Sequence, residues 1–404
     1  MSALTITRLG HHGDGVAEGP VFVPRTLPGE VVEGEIEAGP LAAPRIITPS
    51  PERIRPPCPH YRACGGCALQ HAREDFVTHW KESVITQALA AQGLEAEFRP
   101  PHISPLGSRR RATFAGRRLK TGALVGFHGR ASDVISPVPD CLILHPDLTE
   151  ALPLLEEVTV MTASRKGVLS LALTRSETGL DLAISGGKPL DGPLQAELGR
   201  WAGQARLARL SYDSEVIALA ARPYHQFGRA QVTPTPGAFL QATREAETAM
   251  QEATRAAAGG ASRIVDLFAG CGTFSLPLAE AAEVHAVEGD AAMLAALDAG
   301  WRHATGLKRV THEARDLFRR PLLPEELNRF DAAVIDPPRA GAEAQAELLA
   351  QSRVPRVAAL SCNPVTFARD AKRLTQGGYR LEWVQLIDQF RFSPHVELAA
   401  LFTR

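Results

Sequence analysis

The sequence predicts a multidomain protein: a small N-terminal β-barrel of the OB type, a β-rich α+β middle region, and a C-terminal α/β domain of the Rossmann-like kind. Three observations predict it. Short β-prone runs broken by Gly and Pro crowd residues 1–55, the habit of small barrels. Residues 100–230 carry further short β-like pieces: ALVGFHGR, LSLALTR and LDLAISG. From Ile264 onward, apolar strand-like runs alternate with amphipathic helical ones, as in a parallel sheet with crossover helices. The expected division is 1–55, 56–230 and 231–404.

A chain of 404 residues suits several domains. Its 45% apolar and 22% charged content is ordinary for a globular protein. No run approaches the roughly 18–20 apolar residues of a membrane span. MSALTITRLGHHGDG lacks the basic start and apolar core of a secretory signal. The expected setting is the cytoplasm, with no membrane partner and a monomeric chain. A formal net charge of −1 gives no global attraction to nucleic acid, so any such binding needs a local patch. Six cysteines are too few for a disulfide framework. In a reducing compartment they serve as core residues, metal ligands or nucleophiles.

ITRLG, GVAEG, PVFVP and EVVEGEI are the strands expected of the first unit. An extension packed on the core is the alternative. PERIRPPCPH is a Pro-rich connector. CPHYRACGGC then places Cys58, Cys64 and Cys67 with five and two residues between them. Its glycines let the backbone wrap a small inorganic object. Cys141, in PVPDCLIL, is the one cysteine left outside the C-terminal half to close such a site. Zinc and an iron–sulfur centre both suit four thiolates. EDFVTHWKESVITQALAAQG reads as a helix. SRRRATFAGRRLK carries Arg109, Arg110, Arg111, Arg117, Arg118 and Lys120 with no acid. On alternating strands these six form a basic ribbon for phosphates, or a solvated face.

LQATREAETAMQEATRAAA is helical in composition. DLFAGCGTF follows a strand and opens a helix, and Gly270 and Gly272 permit a tight turn close to a ligand. The stretch lacks the full dinucleotide spacing and any Gly-Lys-Ser/Thr, which weakens pyrophosphate and triphosphate readings. Glu288 ends the next strand, where an acid can grip ribose hydroxyls. Asp316 is expected at the end of the third strand, beside an adenine edge. Acids and a glycine turn without phosphate chemistry suit an adenosine carrying a sulfonium, S-adenosyl-L-methionine. In VIDPPRAG, Asp336 ends a strand and two prolines stiffen the exit. Arg339 stands where enzymes that methylate amino groups carry an aromatic.

LSCNP sets Cys362 at the end of the following strand, on the same cleft edge. A thiolate adding to carbon 6 of a pyrimidine turns carbon 5 into a nucleophile. That requires the thiol pKa, about 8.5 unperturbed, to be lowered by its setting. A base must then remove the carbon 5 proton. Glu397, in HVELAAL, is the candidate base, and His395 is a second.

DLFAGCGTFSLPLA, VIDPPRAG, LSCNP and HVE, in this order, resemble the RNA uracil-5-methyltransferase family. The resemblance implies a class I methyltransferase domain that uses S-adenosyl-L-methionine, with Cys362 as nucleophile and Glu397 as base. PGAFLQATREAE resembles the family's Pro-x-x-Phe-x-Gln segment, which gives Gln241 a cofactor contact. Phe268, Gly270, Gly272, Thr273, Glu288, Asp316 and Asp336 fall on the other cofactor or substrate positions. Thr273 departs from the asparagine often found there. Cys271 is expected to pack rather than react. For Cys58, Cys64, Cys67 and Cys141 the resemblance implies a [4Fe-4S] cluster that pins the β-rich region and shapes the RNA site. The five-two spacing differs from the three-two spacing of radical enzymes. LGHHGDGVAEGPVFVPRTLPGEVVEGEI resembles a TRAM domain, a small RNA-binding barrel. The implied partner is structured RNA, with 23S rRNA favoured over tRNA. The target base must leave its stack, so loops suit it better than a long helix. Cytosine-5 methyltransferases carry their nucleophile after Pro or Thr, whereas Cys362 follows Ser361. A non-catalytic RNA-binding or ribosome-assembly factor is the remaining alternative.

Overall fold

The computed structural model describes residues 2–19, 21–34 and 44–404. Pro20 of PVFVP and the last two residues of EVVEGEI lie outside the described residues.

The N-terminal segment forms a five-stranded antiparallel sheet, in spatial order Val21–Val23, Gly15–Ala17, Ser2–Leu9, Val31–Gly34 and Arg45–Thr48. Its strands are short and the chain turns sharply between them. Glu30, fully buried, holds the unit together. Its carboxylate accepts the N–H groups of Leu27 (2.8 Å) and Ser50 (3.1 Å) and both donors of the Arg53 fork. Burial alone would raise this carboxyl, but Arg53 and the two amides hold it below the usual range.

The middle region builds a seven-stranded sheet. Its order is Glu215–Leu219, Arg209–Tyr212, Gly179–Ser185, Leu169–Ser176, Arg111–Arg118, Ala123–His128 and Ile135–Ser136. All its pairings are antiparallel except that between Gly179–Ser185 and Arg209–Tyr212. Helices Leu152–Thr162 and Gly192–Gln204 bury Leu155, Val158, Leu198 and Trp201 in its core.

The third sheet positions the site. Five parallel strands run in the order Val310–Ala314, Glu283–Glu288, Arg263–Leu267, Ala332–Ile335 and Arg356–Ser361. Leu398–Thr403 follows, antiparallel to Arg356–Ser361 and to Arg380–Asp388. Phe98–Ile103 closes the edge, parallel to Arg380–Asp388. Ala332–Ile335 is buried along its whole length and Arg356–Ser361 from Val357 onward, as strands covered on both faces must be. Two apolar cores lie on the two faces. The chain leaves Arg263–Leu267 toward one side of the sheet and returns on the other at Ala332–Ile335. Ligands of open α/β sheets settle outside the strand C-termini at such a reversal.

Helix Arg244–Ala258 lies against this sheet, capped by Thr243, whose hydroxyl accepts the Ala246 N–H at 3.1 Å. Helix Glu74–Ala90 crosses to the far edge. There its buried Lys81 donates to Asp388 at 2.7 Å and to the Phe390 carbonyl at 3.1 Å. That buried pair fixes the start of the loop running from Asp388 to Glu397. No helix among the described residues is long and apolar enough to cross a membrane.

Candidate active site

The turn after Arg263–Leu267 carries Phe268 at φ +64°, a left-handed conformation that costs a non-glycine residue about 1–3 kcal/mol. The Phe268 and Ala269 N–H groups both donate to the Val287 carbonyl and hold it there. The Phe268 ring sits 5.4 Å from that of Phe318. Gly270 donates its N–H to Glu288 Oε2 at 3.0 Å, and Asp290 donates to Oε1 at 2.9 Å. Glu288 is thus knitted to the glycine turn. At Gly272 (φ +94°) a Cβ would lie 2.9 Å from Leu297 Cγ, so the turn packs on helix Ala291–His303 only without one. Thr273 is half-buried, and its carbonyl accepts from Gln251 at 3.0 Å. Asp316 is exposed two residues beyond its strand and caps a turn by accepting the Phe318 N–H at 3.0 Å. Cys271 is buried, and burial pushes its thiol up to about 12.

Asp266 escapes the sequence reading, though its signal is plain: an acid inside the apolar strand RIVDL. Fully buried beneath the turn, it accepts the Ser275 hydroxyl at 2.5 Å, and its Oδ1 has no partner among the described residues. Burial raises it to about 7.

Cys362 follows strand Arg356–Ser361, and Asn363 then caps helix Pro364–Gln376. Asn363 Oδ1 accepts the Val365 N–H at 3.1 Å, while its Nδ2 donates to the Arg339 carbonyl at 2.9 Å. Pro364 occupies the first helical turn, where its missing N–H costs nothing. One asparagine therefore stops the strand, starts the helix and ties the cysteine loop to the Asp-Pro-Pro-Arg loop.

Cys362, Glu397, Arg339 and His395 line one cavity of about 770 Å³. The Cys362 thiol is raised to about 11 by burial and by the charges of Glu397 and Asp336, against the pull of Arg339. Burial and Asp336 lift Glu397 to about 8, and burial lifts Asp336 to about 7. The expectation of a lowered thiol pKa is therefore not met in the unliganded protein. Two neighbouring carboxylates disfavour the thiolate until a positive group joins them. Arg339 Nη2 lies 3.4 Å from His395 Nδ1, so His395 shares the cavity beside a cation.

Cys58, Cys64, Cys67 and Cys141 line the same cavity, all as free thiols. Burial raises Cys64 and Cys141, and pushes Cys67 up to about 12. Gly65 lets this loop approach the 128–130 turn, where a Cβ would lie 2.8 Å from the Arg130 nitrogen and the His128 carbonyl. Among the described residues no three His, Cys, Asp or Glu side chains converge closely enough to hold a metal ion. The four thiols surround a space without meeting at one point.

The basic run is split by the fold. Arg109 lines the cavity, with its pKa lowered by burial. The guanidinium of Arg111 stacks 4.4 Å from the Phe239 ring and is lowered to about 10 by burial. Arg117, Arg118 and Lys120 sit at the far end of the hairpin formed by Arg111–Arg118 and Ala123–His128. Arg110 corrects the expectation of a continuous RNA-facing ribbon. It is buried, ion-paired to Glu247, and bonded through its Nε to the Gln241 carbonyl at 3.3 Å. It holds the Gln241 segment from within the fold and presents little charge to solvent.

Gln241 is itself buried. Its Oε1 accepts from Gln389 Nε2 at 2.7 Å, and the same nitrogen donates to Glu397 Oε2 at 3.0 Å. The Gln389 Oε1 accepts the Ala242 N–H at 2.6 Å. Gln389 is invisible to sequence reading: a lone amide after a strand carries no periodic or motif signal.

A sheet with five parallel strands, a glycine turn, strand-end acids and a cavity-lining thiol at its reversal point has the form of an α/β protein with a ligand site at its strand ends. Comparison with known proteins narrows the class. The family model tRNA (Uracil-5-)-methyltransferase matches residues 214–404. An uncharacterised RNA methyltransferase of Brucella suis is 46% identical over 404 residues, covering 99% of this chain and 97% of that protein. The 23S rRNA (uracil(1939)-C(5))-methyltransferase RlmD of Nitrosococcus oceani is 31% identical over 430 residues, covering 98% of this chain and 95% of that one. The crystal structure of Pyrococcus abyssi tRNA (uracil-54, C5)-methyltransferase in complex with S-adenosyl-L-homocysteine shares the fold, with a TM-score of 0.77, full coverage of both chains and 21% identity. The chain belongs to the RNA uracil-C5 methyltransferase family.

Proposed function

We propose that this protein methylates carbon 5 of a uridine in structured RNA, using S-adenosyl-L-methionine, and that its RNA is 23S rRNA rather than tRNA. The observation that carries the reading is the grouping of the Cys362 thiol and the Glu397 carboxylate in one cavity, with Asp336 close enough to shift both. The full-length similarity to RlmD supports ribosomal RNA.

Gln241, Phe268, Gly270, Gly272, Thr273, Glu288, Asp316 and Asp336 would hold the cofactor along the strand ends, Glu288 already fixed by two backbone donors. The sulfonium supplies an electrophilic methyl group and a positive charge. That charge is what the crowded acids lack, and it favours the ionised forms of Asp336, Glu397 and Cys362. The Cys362 sulfur would bond to carbon 6 of a flipped uracil and pass the ring electrons to carbon 5, which would take the methyl group as its bond to the sulfonium sulfur breaks and S-adenosyl-L-homocysteine is left. Glu397 then accepts the carbon 5 proton, the carbon–sulfur bond breaks, and Cys362 leaves as thiolate. Arg109, Arg111, Arg117, Arg118 and Lys120 would grip phosphates.

Cys58, Cys64, Cys67 and Cys141 have the donor chemistry for a [4Fe-4S] cluster: four free thiols around one space, three of them on the loop pressed close by Gly65. The cluster would cross-link the cysteine loop to the middle sheet, and no chemical step runs through it. The division of labour follows the three spans. A TRAM-like unit at 1–55 and the 56–230 region bind RNA, and 231–404 binds the cofactor, its Rossmann-like sheet completed by Phe98–Ile103 from the middle span.

RNA carrying tritium on carbon 5 of its uridines tests the reaction. Methyl incorporation should release tritium in equal amount. Methylation without tritium release, or label in 5-methylcytidine, would overturn the reading.

A further inference from the structure

The geometry points to Gln389 as a positioning residue that holds Glu397 as a one-sided proton acceptor. This rests on the carbon 5 methylation proposed above and assigns a role to a residue outside its machinery.

Three hydrogen bonds fix the Gln389 amide. Its oxygen accepts the Ala242 N–H at 2.6 Å, so its nitrogen must face the other way. That nitrogen donates to Gln241 Oε1 at 2.7 Å and to Glu397 Oε2 at 3.0 Å. Turning the amide over would set its NH₂ against the Ala242 N–H and its oxygen against Gln241 Oε1 and Glu397 Oε2, losing three bonds for three repulsions. Gln389 is therefore a donor toward Glu397 and never an acceptor. A donor stabilises the carboxylate more than the carboxylic acid, whose carbonyl oxygen is the weaker acceptor.

Glu397 Oε2 is thus engaged on the protein side, and among the described residues no hydrogen bond occupies Oε1. With Glu397 lining the cavity, Oε1 is the oxygen left to take a proton from a bound base. The Ala242 N–H that orients Gln389 belongs to the segment pinned by Arg110, whose N–H donates to the Ala242 carbonyl at 2.9 Å. On the other side, Lys81 anchors Asp388, the residue preceding Gln389. The amide is clamped from both directions. Asp336 and Cys362 act electrostatically on Glu397, and Arg339, His395, Arg109, Arg391 and His12 are among the charged or titratable groups that share its cavity. The acids among them oppose ionisation of Glu397, so a dedicated donor has work to do.

Gln389→Met keeps the volume and removes the donor. The experiment uses full-length holoprotein, cofactor and a uridine-containing RNA substrate, quenched in denaturant. Formation of the covalent protein–RNA species and its decay are followed across pH, with thermal melting as control. In the wild type the covalent species should decay too fast to accumulate. In Gln389→Met it should accumulate, decay roughly tenfold more slowly near neutral pH, and reach the wild-type decay rate about one pH unit higher. Its rate of formation should stay within about twofold of wild type. Gln389→Asn, which keeps an amide on a shorter stem, should show an intermediate shift. Decay of Gln389→Met with the wild-type pH profile, in a protein that melts normally, overturns the inference. So does slowing of formation alone. If Gln389→Met fails to fold, the Gln389→Asn profile decides, and an unshifted one overturns the inference. Wild-type protein that forms no covalent species even with 5-fluorouridine RNA refutes the proposed function instead, so the two failures are distinguishable.

Discussion

Replacing Arg110 should damage stability and leave the electrostatics of RNA binding almost untouched, the opposite of replacing its neighbours along the chain. The Arg110 and Glu247 side chains are only 7% and 3% exposed. Burial pushes the Glu247 carboxyl up, and Arg110 opposes that shift. Arg110→Met strands a buried acid, a loss of about 3–5 kcal/mol. The lost bond to the Gln241 carbonyl adds about 1 kcal/mol. Combining Arg110→Met with Glu247→Leu removes both charges, and the pair should recover most of the loss, leaving a deficit of about 1 kcal/mol. Urea unfolding followed through the fluorescence of buried Trp383 gives the stabilities, and RNA affinity across a salt series gives the electrostatics. Arg117→Ala, at the hairpin end, should leave the urea midpoint in place and lower the salt slope by about one. An Arg110→Met protein of normal stability whose RNA affinity loses salt dependence would refute the assignment of Arg110 to the interior.

Stability should fall as pH rises from about 5 to about 8, because folded Glu397 (about 8), Asp336 (about 7) and Asp266 (about 7) keep protons that the unfolded chain has released. The slope is up to about 1.4 kcal/mol per group per pH unit; urea midpoints across that range measure it, and Glu397→Gln should flatten its share. Glu30→Ala leaves Arg53 and the Leu27 and Ser50 amides without their acceptor. It should cost on the order of 3 kcal/mol, seen as faster hydrogen exchange confined to the N-terminal sheet. Anaerobically purified protein should contain iron and absorb visible light; Cys64→Ser or Cys141→Ser should lose both while cofactor affinity in calorimetry stays unchanged. Zinc without iron in the wild type would contradict the cluster.

The parts of this site that are legible in the sequence share a physical cause. Asp336, Glu288 and Cys362 each end an apolar run that can only be a buried parallel strand, and strand C-termini are where such sheets bind ligands. The run itself locates the residue. Arg110, Lys81 and Gln389 act sideways, through partners 137, 307 and 148 residues away in the chain. No local pattern reports contacts of that separation. Arg110 reads as one more surface cation until the fold shows that it faces inward. The edge strand Phe98–Ile103 is disguised by two prolines in FRPPHI, residues that an edge tolerates and a sheet interior does not. The pKa direction at Cys362 was also hidden, since it depends first on burial and then on Glu397 and Asp336, which reach the thiol from other parts of the chain.

The most direct measurement is to trap the protein on 5-fluorouridine RNA with S-adenosyl-L-methionine, digest it, and locate the nucleotide-bearing peptide by mass spectrometry. Fluorine cannot leave as the proton does, so the adduct should persist, carry the transferred methyl group, and map to Cys362 alone. A nucleotide on Cys58, Cys64, Cys67 or Cys141, which share the cavity, or undiminished methylation by Cys362→Ala, would contradict the account.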